Sequence, residues 1–66
     1  MEIETQLTIE DFPIGTLIEW RTNDIKNFGV VFKNEHGFIK VRPLSQPFNW
    51  YFNDETLINF KVRKIN

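Results

Sequence analysis

His36 is the single histidine of the chain and sits between Glu35 and Gly37. An imidazole works as a general base only with a positioned partner and a site shielded from water. The stretch NEHG (34–37) reads as a tight turn, and a turn tip supplies neither. Glu10–Asp11 and Asp54–Glu55 are adjacent carboxylates, but both pairs fall where short helical turns begin. Acidic side chains there complement the helix dipole, so capping accounts for them. The chain has no cysteine, which excludes thiolate ligands and cysteine nucleophiles. No spacing of His, Asp and Glu matches a metal site, and no phosphate loop or nucleophile motif occurs. The expectation is a non-catalytic protein without metal or cofactor.

The chemistry that remains is that of rings and cations. QPFNWYFNDE (46–55) sets Phe48, Trp50, Tyr51 and Phe52 within five positions. On a strand, Phe48, Trp50 and Phe52 would share one face and Tyr51 the other. The first set is expected in the core, and Tyr51 outside. In FIKVR (38–42), Ile39 and Val41 point inward, which leaves Phe38, Lys40 and Arg42 outside. Lys61 and Arg63 are likewise expected to face outward. The candidate binding residues are therefore Phe38, Lys40, Arg42, Tyr51, Lys61 and Arg63. They form one stripe if the third and fifth strands lie near each other.

Which elements would hold these residues? Sixty-six residues make one domain, 1–66. A chain this short buries only about 60% of the surface that it exposes when unfolded. Ten of its residues are Phe, Trp or Tyr, a supply of large apolar groups that an uncrosslinked small core needs. The net charge is −1 but unevenly spread. Residues 1–24 hold six acids and one base; residues 25–66 hold three acids and seven bases, so the second part is net +4. Such asymmetry marks either a polar partner surface or neighbours that cancel in the fold. Met1 reads as the initiator, no basic-then-apolar leader follows, and no apolar run could span a bilayer. Lack of cysteine fits a reducing compartment, and a cytoplasmic location is expected. Abundant Asn, Ile, Lys and Phe fit an AT-rich genome such as that of a phage or virus.

The dominant pattern is alternation with period two, the signature of half-buried strands. IETQLTI (3–9) alternates, and TIEDF follows as a helical turn with Thr8 and Asp11 as a capping box. TLIEWR (16–21) is a strand, TNDIKN (22–27) a polar loop and FGVVFK (28–33) a strand with Phe28, Val30 and Phe32 inward. NEHG turns the chain into FIKVR. Two prolines keep PLSQP (43–47) out of a central strand. NWYF (49–52) is a short strand, NDETL (53–57) a helical turn, and INFKVRKI (58–65) a last strand with Ile58, Phe60 and Val62 inward. Ile18 and Trp20 complete the expected core. The layout is all-β: five to six short antiparallel strands with one-turn helices at the corners.

GTLIEW followed by FGVV, carrying Gly15, Trp20, Phe28, Gly29 and Val31, resembles the opening of Tudor-like SH3 barrels. These occur in bacterial helicase tails and RNA-polymerase-binding domains. There a glycine opens the first strand and a Phe-Gly or His-Gly pair opens the second. The second glycine usual in that motif is Val31 here. The resemblance implies a closed SH3-like barrel associated with nucleic-acid machinery.

Three ligand classes follow. A protein component of that machinery is the first, bound by a free-standing accessory or inhibitor, monomeric or weakly self-associating. Single-stranded nucleic acid is the alternative, with phosphates on the basic stripe and bases stacked on Phe38 and Tyr51. A methyl-lysine cage built from Trp20, Phe28, Trp50, Tyr51 and Asp24 is the third. A proline-rich ligand would need more than the single tyrosine present.

Overall fold

The computed structural model describes residues 7–65. Among them, residues 7 and 8 are not in a strand, and Ile9–Asp11 form a 3-10 turn. The strand expected over 3–9 thus ends as a turn, and its first four positions lie outside the described residues. The Thr8 amide donates to Asp11 Oδ2 at 2.9 Å, the capping contact that the sequence predicts. Five strands follow: β1 Leu17–Thr22, β2 Ile25–Glu35, β3 Phe38–Pro43, β4 Trp50–Phe52 and β5 Arg63–Lys64. The helix α1, Asp54–Asn59, separates β4 from β5. The fold is mostly β, one antiparallel sheet ordered β4-β3-β2-β1-β5. No helix among the described residues is long and apolar enough to cross a membrane.

Both hairpins close through two residues with positive φ, Asn23–Asp24 (48° and 68°) and His36–Gly37 (56° and 82°). Such turns match the twist of the strands they join. The expected loop 22–27 is therefore only a tight turn, and β2 starts at Ile25. Phe28–Gly29 consequently lies inside β2 and does not open it.

The core consists of Phe12, Ile18, Trp20, Val31, Ile39, Val41, Phe52, Leu57 and Val62. Its composition corrects the expected phase of β2. Asn27, Gly29 and Val31 point inward, while Phe28, Val30 and Phe32 do not. Position 29 has no room for a side chain. A Cβ at Gly29 would sit 2.7 Å from the Arg42 carbonyl oxygen, 2.8 Å from Val41 Cγ1 and 3.1 Å from Trp20 Cη2. The β3 backbone, Val41 and the indole together fill the space that a side chain at 29 would need, so the inward row of β2 accommodates the glycine there. A bulge between Val31 and Lys33 then shifts the pairing with β3.

The last strand is shorter than the alternation implied. Asn53 Oδ1 accepts from the Thr56 amide at 2.9 Å, and the helix so capped runs to Asn59. It ends with Lys61 at φ 51°, Lys61 N–H on the Ile58 carbonyl and Val62 N–H on the Leu57 carbonyl. This is a Schellman closure, with buried Leu57 and Val62 as its apolar pair. Ile58 is consequently exposed, Phe60 is half-buried, and neither belongs to a strand. Phe48, expected inside, precedes β4 and is 56% exposed.

Candidate binding face

The inward side chains of β1, β3 and β4 are Ile18, Trp20, Ile39, Val41 and Phe52, all but closed to solvent. Alternation therefore turns Leu17, Glu19, Lys40, Arg42 and Tyr51 to the opposite, outer face. Register arranges that face in rows. Leu17, Val30 and Arg42 lie side by side across β1, β2 and β3. Arg63, Glu19 and Phe28 form a second row across β5, β1 and β2. Lys33, Lys40 and Tyr51 form a third across β2, β3 and β4.

Four of the six expected residues meet here. The Phe38 and Tyr51 rings lie 5.8 Å apart between centroids. Lys40 Nζ stands 5.2 Å from the Tyr51 ring centroid. The Arg42 guanidinium carbon is 5.2 Å from the Phe32 ring centroid, so Phe32, assigned by pattern to the core, belongs to this face. Cation–π contact holds both charges beside rings. Tyr51 is 56% exposed and Phe28 40%.

Arg63 and Lys61 do not join them. β2 and β1 stand between β3 and β5. Arg63 Nε lies 3.3 Å from Glu19 Oε1, and Lys26 Nζ lies 3.8 Å from Glu19 Oε2. The Glu19 side chain is only 10% exposed. Arg63 thus pairs with the shielded carboxylate of its own outer-face row, and Lys61 occupies the turn that closes α1. The register places Arg63 directly opposite Glu19.

The proposed cage does not assemble. Trp20 is buried, Trp50 packs against the core, and Tyr51 and Phe28 face the other way. Trp50 is committed to inner contacts: it stacks on Phe52 at 5.9 Å and meets Phe60 edge-on at 5.5 Å. Its Nε1 donates to Gln46 Oε1 at 2.6 Å, and Gln46 Nε2 donates to Asn27 Oδ1 at 2.9 Å. This relay ties the segment before β4 to β2.

His36 lines an open hollow of about 440 Å³ with Glu10, Asn34, Glu35 and Asp54. Of the acids that line it, Asp54 accepts from the Ile9 amide through Oδ1 at 2.8 Å and Glu35 lies 3.4 Å from Lys33. Among the described residues no three His, Asp or Glu side chains converge as metal ligands.

No family model matches this chain, and neither a curated protein nor a solved structure matches it.

Proposed function

We propose that this chain is a non-catalytic interaction module, a small SH3-like barrel of the Tudor-like type. In this reading it docks a protein component of nucleic-acid machinery through the outer face of its sheet and acts as an accessory or inhibitor. The strand order and the position of α1 between β4 and β5 support the barrel. β2 is eleven residues long and bulged, so it can bend to serve both halves of a closed sheet. Closure would remove the free edges that a small sheet otherwise presents. The link to nucleic-acid machinery rests on the resemblance of GTLIEW and FGVV alone.

The observation that carries the docking reading is the mixture of side chains on the outer face. Leu17, Val30, Phe28 and Phe32 adjoin Lys40, Arg42 and Tyr51. Aliphatic groups do nothing for phosphates, whereas protein interfaces combine apolar centres with Tyr and Arg.

A second reading, direct binding of single-stranded nucleic acid, draws on the Phe38–Tyr51 pair beside Lys33 and Lys40. An amide NMR titration with short single-stranded DNA and RNA, at low and moderate salt, separates the two. The protein reading expects silence at Lys40, Arg42 and Tyr51. Shifts there that fade as salt rises would transfer the function to nucleic acid.

A further inference from the structure

We propose that the partner meets the outer face with carboxylates: an acidic, partly apolar protein segment seats its acids on Lys40 and Arg42. The inference rests on the docking reading and specifies its chemistry. Three ion pairs occur among the described residues, and none uses Lys40 or Arg42. Both cations instead lie over rings at 5.2 Å. A ring face fixes a cation in place but accepts few of its N–H donors. The Arg42 fork is thus positioned with donors left for a bidentate carboxylate.

Lys33 stands directly opposite Lys40 in the sheet. Like charges facing each other across strands are unfavourable, and an arriving anion relieves them. Among the described residues, Glu35, 3.4 Å from Lys33, is the ion-pair partner that offsets these two charges. Lys40 and Arg42 share a face two residues apart, a separation of about 6.8 Å along the strand. Acids two apart on an extended segment, or one turn apart on a helix, match that spacing.

The surroundings decide between kinds of anion. Val30 lies opposite Arg42, and Leu17 lies opposite Val30. Apolar side chains of a protein segment cover these; a phosphate backbone has none. A second copy of this chain docked face to face is a poor occupant, because it would bring the same cations to the contact.

The test is an amide NMR titration of the full chain with four probes. These are a synthetic peptide alternating glutamate with leucine, its glutamine and lysine versions, and a thymidine oligonucleotide. The expected result is shifts at Val30, Phe32, Lys40, Arg42 and Tyr51 with the glutamate peptide only. Lys40→Glu with Arg42→Glu should weaken that binding by about tenfold or more and create affinity for the lysine peptide. Both residues lie on the outer face, Arg42 exposed and Lys40 half-buried, and outside the core, so the variant should keep a dispersed spectrum. If the glutamine peptide binds as well as the glutamate one, the docking face stands and the carboxylate inference falls. If the oligonucleotide alone shifts these amides, both fall. Silence with the glutamate peptide also overturns the inference.

Discussion

Tyr51 and Phe52 are chain neighbours with opposite fates. Tyr51 is 56% exposed and in contact with Phe38 and Lys40; Phe52 is 1% exposed among Trp20, Trp50 and Phe60. Truncating Phe52 to Ala removes a ring from the core, which costs about 3–5 kcal/mol. Such a loss consumes most of the stability of a domain this small. Tyr51→Ala forfeits a ring contact and one cation–π contact, about 1 kcal/mol. Thermal unfolding should therefore show Phe52→Ala largely unfolded at 25 °C. Tyr51→Ala should lower the Tm by about 4–8 °C. The same Tyr51 variant should bind the glutamate peptide about tenfold more weakly, as loss of an interface tyrosine does. A Tyr51→Ala protein as unstable as Phe52→Ala would return Tyr51 to the core and remove it from the docking face.

The elements carry the information that alternation alone could not give. Reading FGVVFK by pattern puts the larger side chains, Phe28, Val30 and Phe32, inside. The reverse holds: Gly29 faces inward, where the Arg42 carbonyl, Val41 and Trp20 close around it. Gly29→Ala is the sharp check, since its methyl would meet the Arg42 carbonyl oxygen at 2.7 Å. A loss of about 3 kcal/mol is expected in denaturant unfolding; a neutral result would mean that β2 has the other phase. Strands β1 to β4, the NEHG turn, the capping box at Thr8 and the outward Lys40, Arg42 and Tyr51 were legible because each depends on a few adjacent residues. Phe12 and Leu57 in the core, the Glu19–Arg63 pair and the run of α1 on to Asn59 were not, because each depends on contacts distant in sequence. Helix α1 offers its own test. Lys61 holds φ 51°, a conformation that costs a side-chain-bearing residue about 1–2 kcal/mol. Glycine avoids that cost but loses about 0.5–1 kcal/mol in chain entropy. Lys61→Gly should thus raise the Tm by about 3 °C. Peptide affinity should stay unchanged, because Lys61 lies in the turn that closes α1 and in no strand of the outer face. Weakened binding would restore the stripe that the sequence predicted.

Across the whole molecule the net charge of −1 conceals a separation. Glu10, Glu35 and Asp54 gather at the His36 hollow, whereas Lys33, Lys40 and Arg42 stand on the outer face. A separated distribution orients an approaching charged partner even when the total is near zero. Glu35 sits where the two regions meet, 3.4 Å from Lys33 and about half exposed. Removing its charge should strengthen the positive field at Lys33 and Lys40 without opening the core. Glu35→Gln is therefore expected to raise the association rate for the glutamate peptide about twofold to threefold at low salt. The dissociation rate should change little, since a rim charge acts mainly on encounter. Screening fixes the control: the Debye length falls from about 10 Å at 0.1 M salt to about 3 Å at 1 M, so the gain should vanish there. Stopped-flow mixing at both salts measures this. A gain that survives 1 M salt would mean that Glu35 blocks the site by bulk or contact, and the long-range account of how this small sheet attracts an acidic partner would fail.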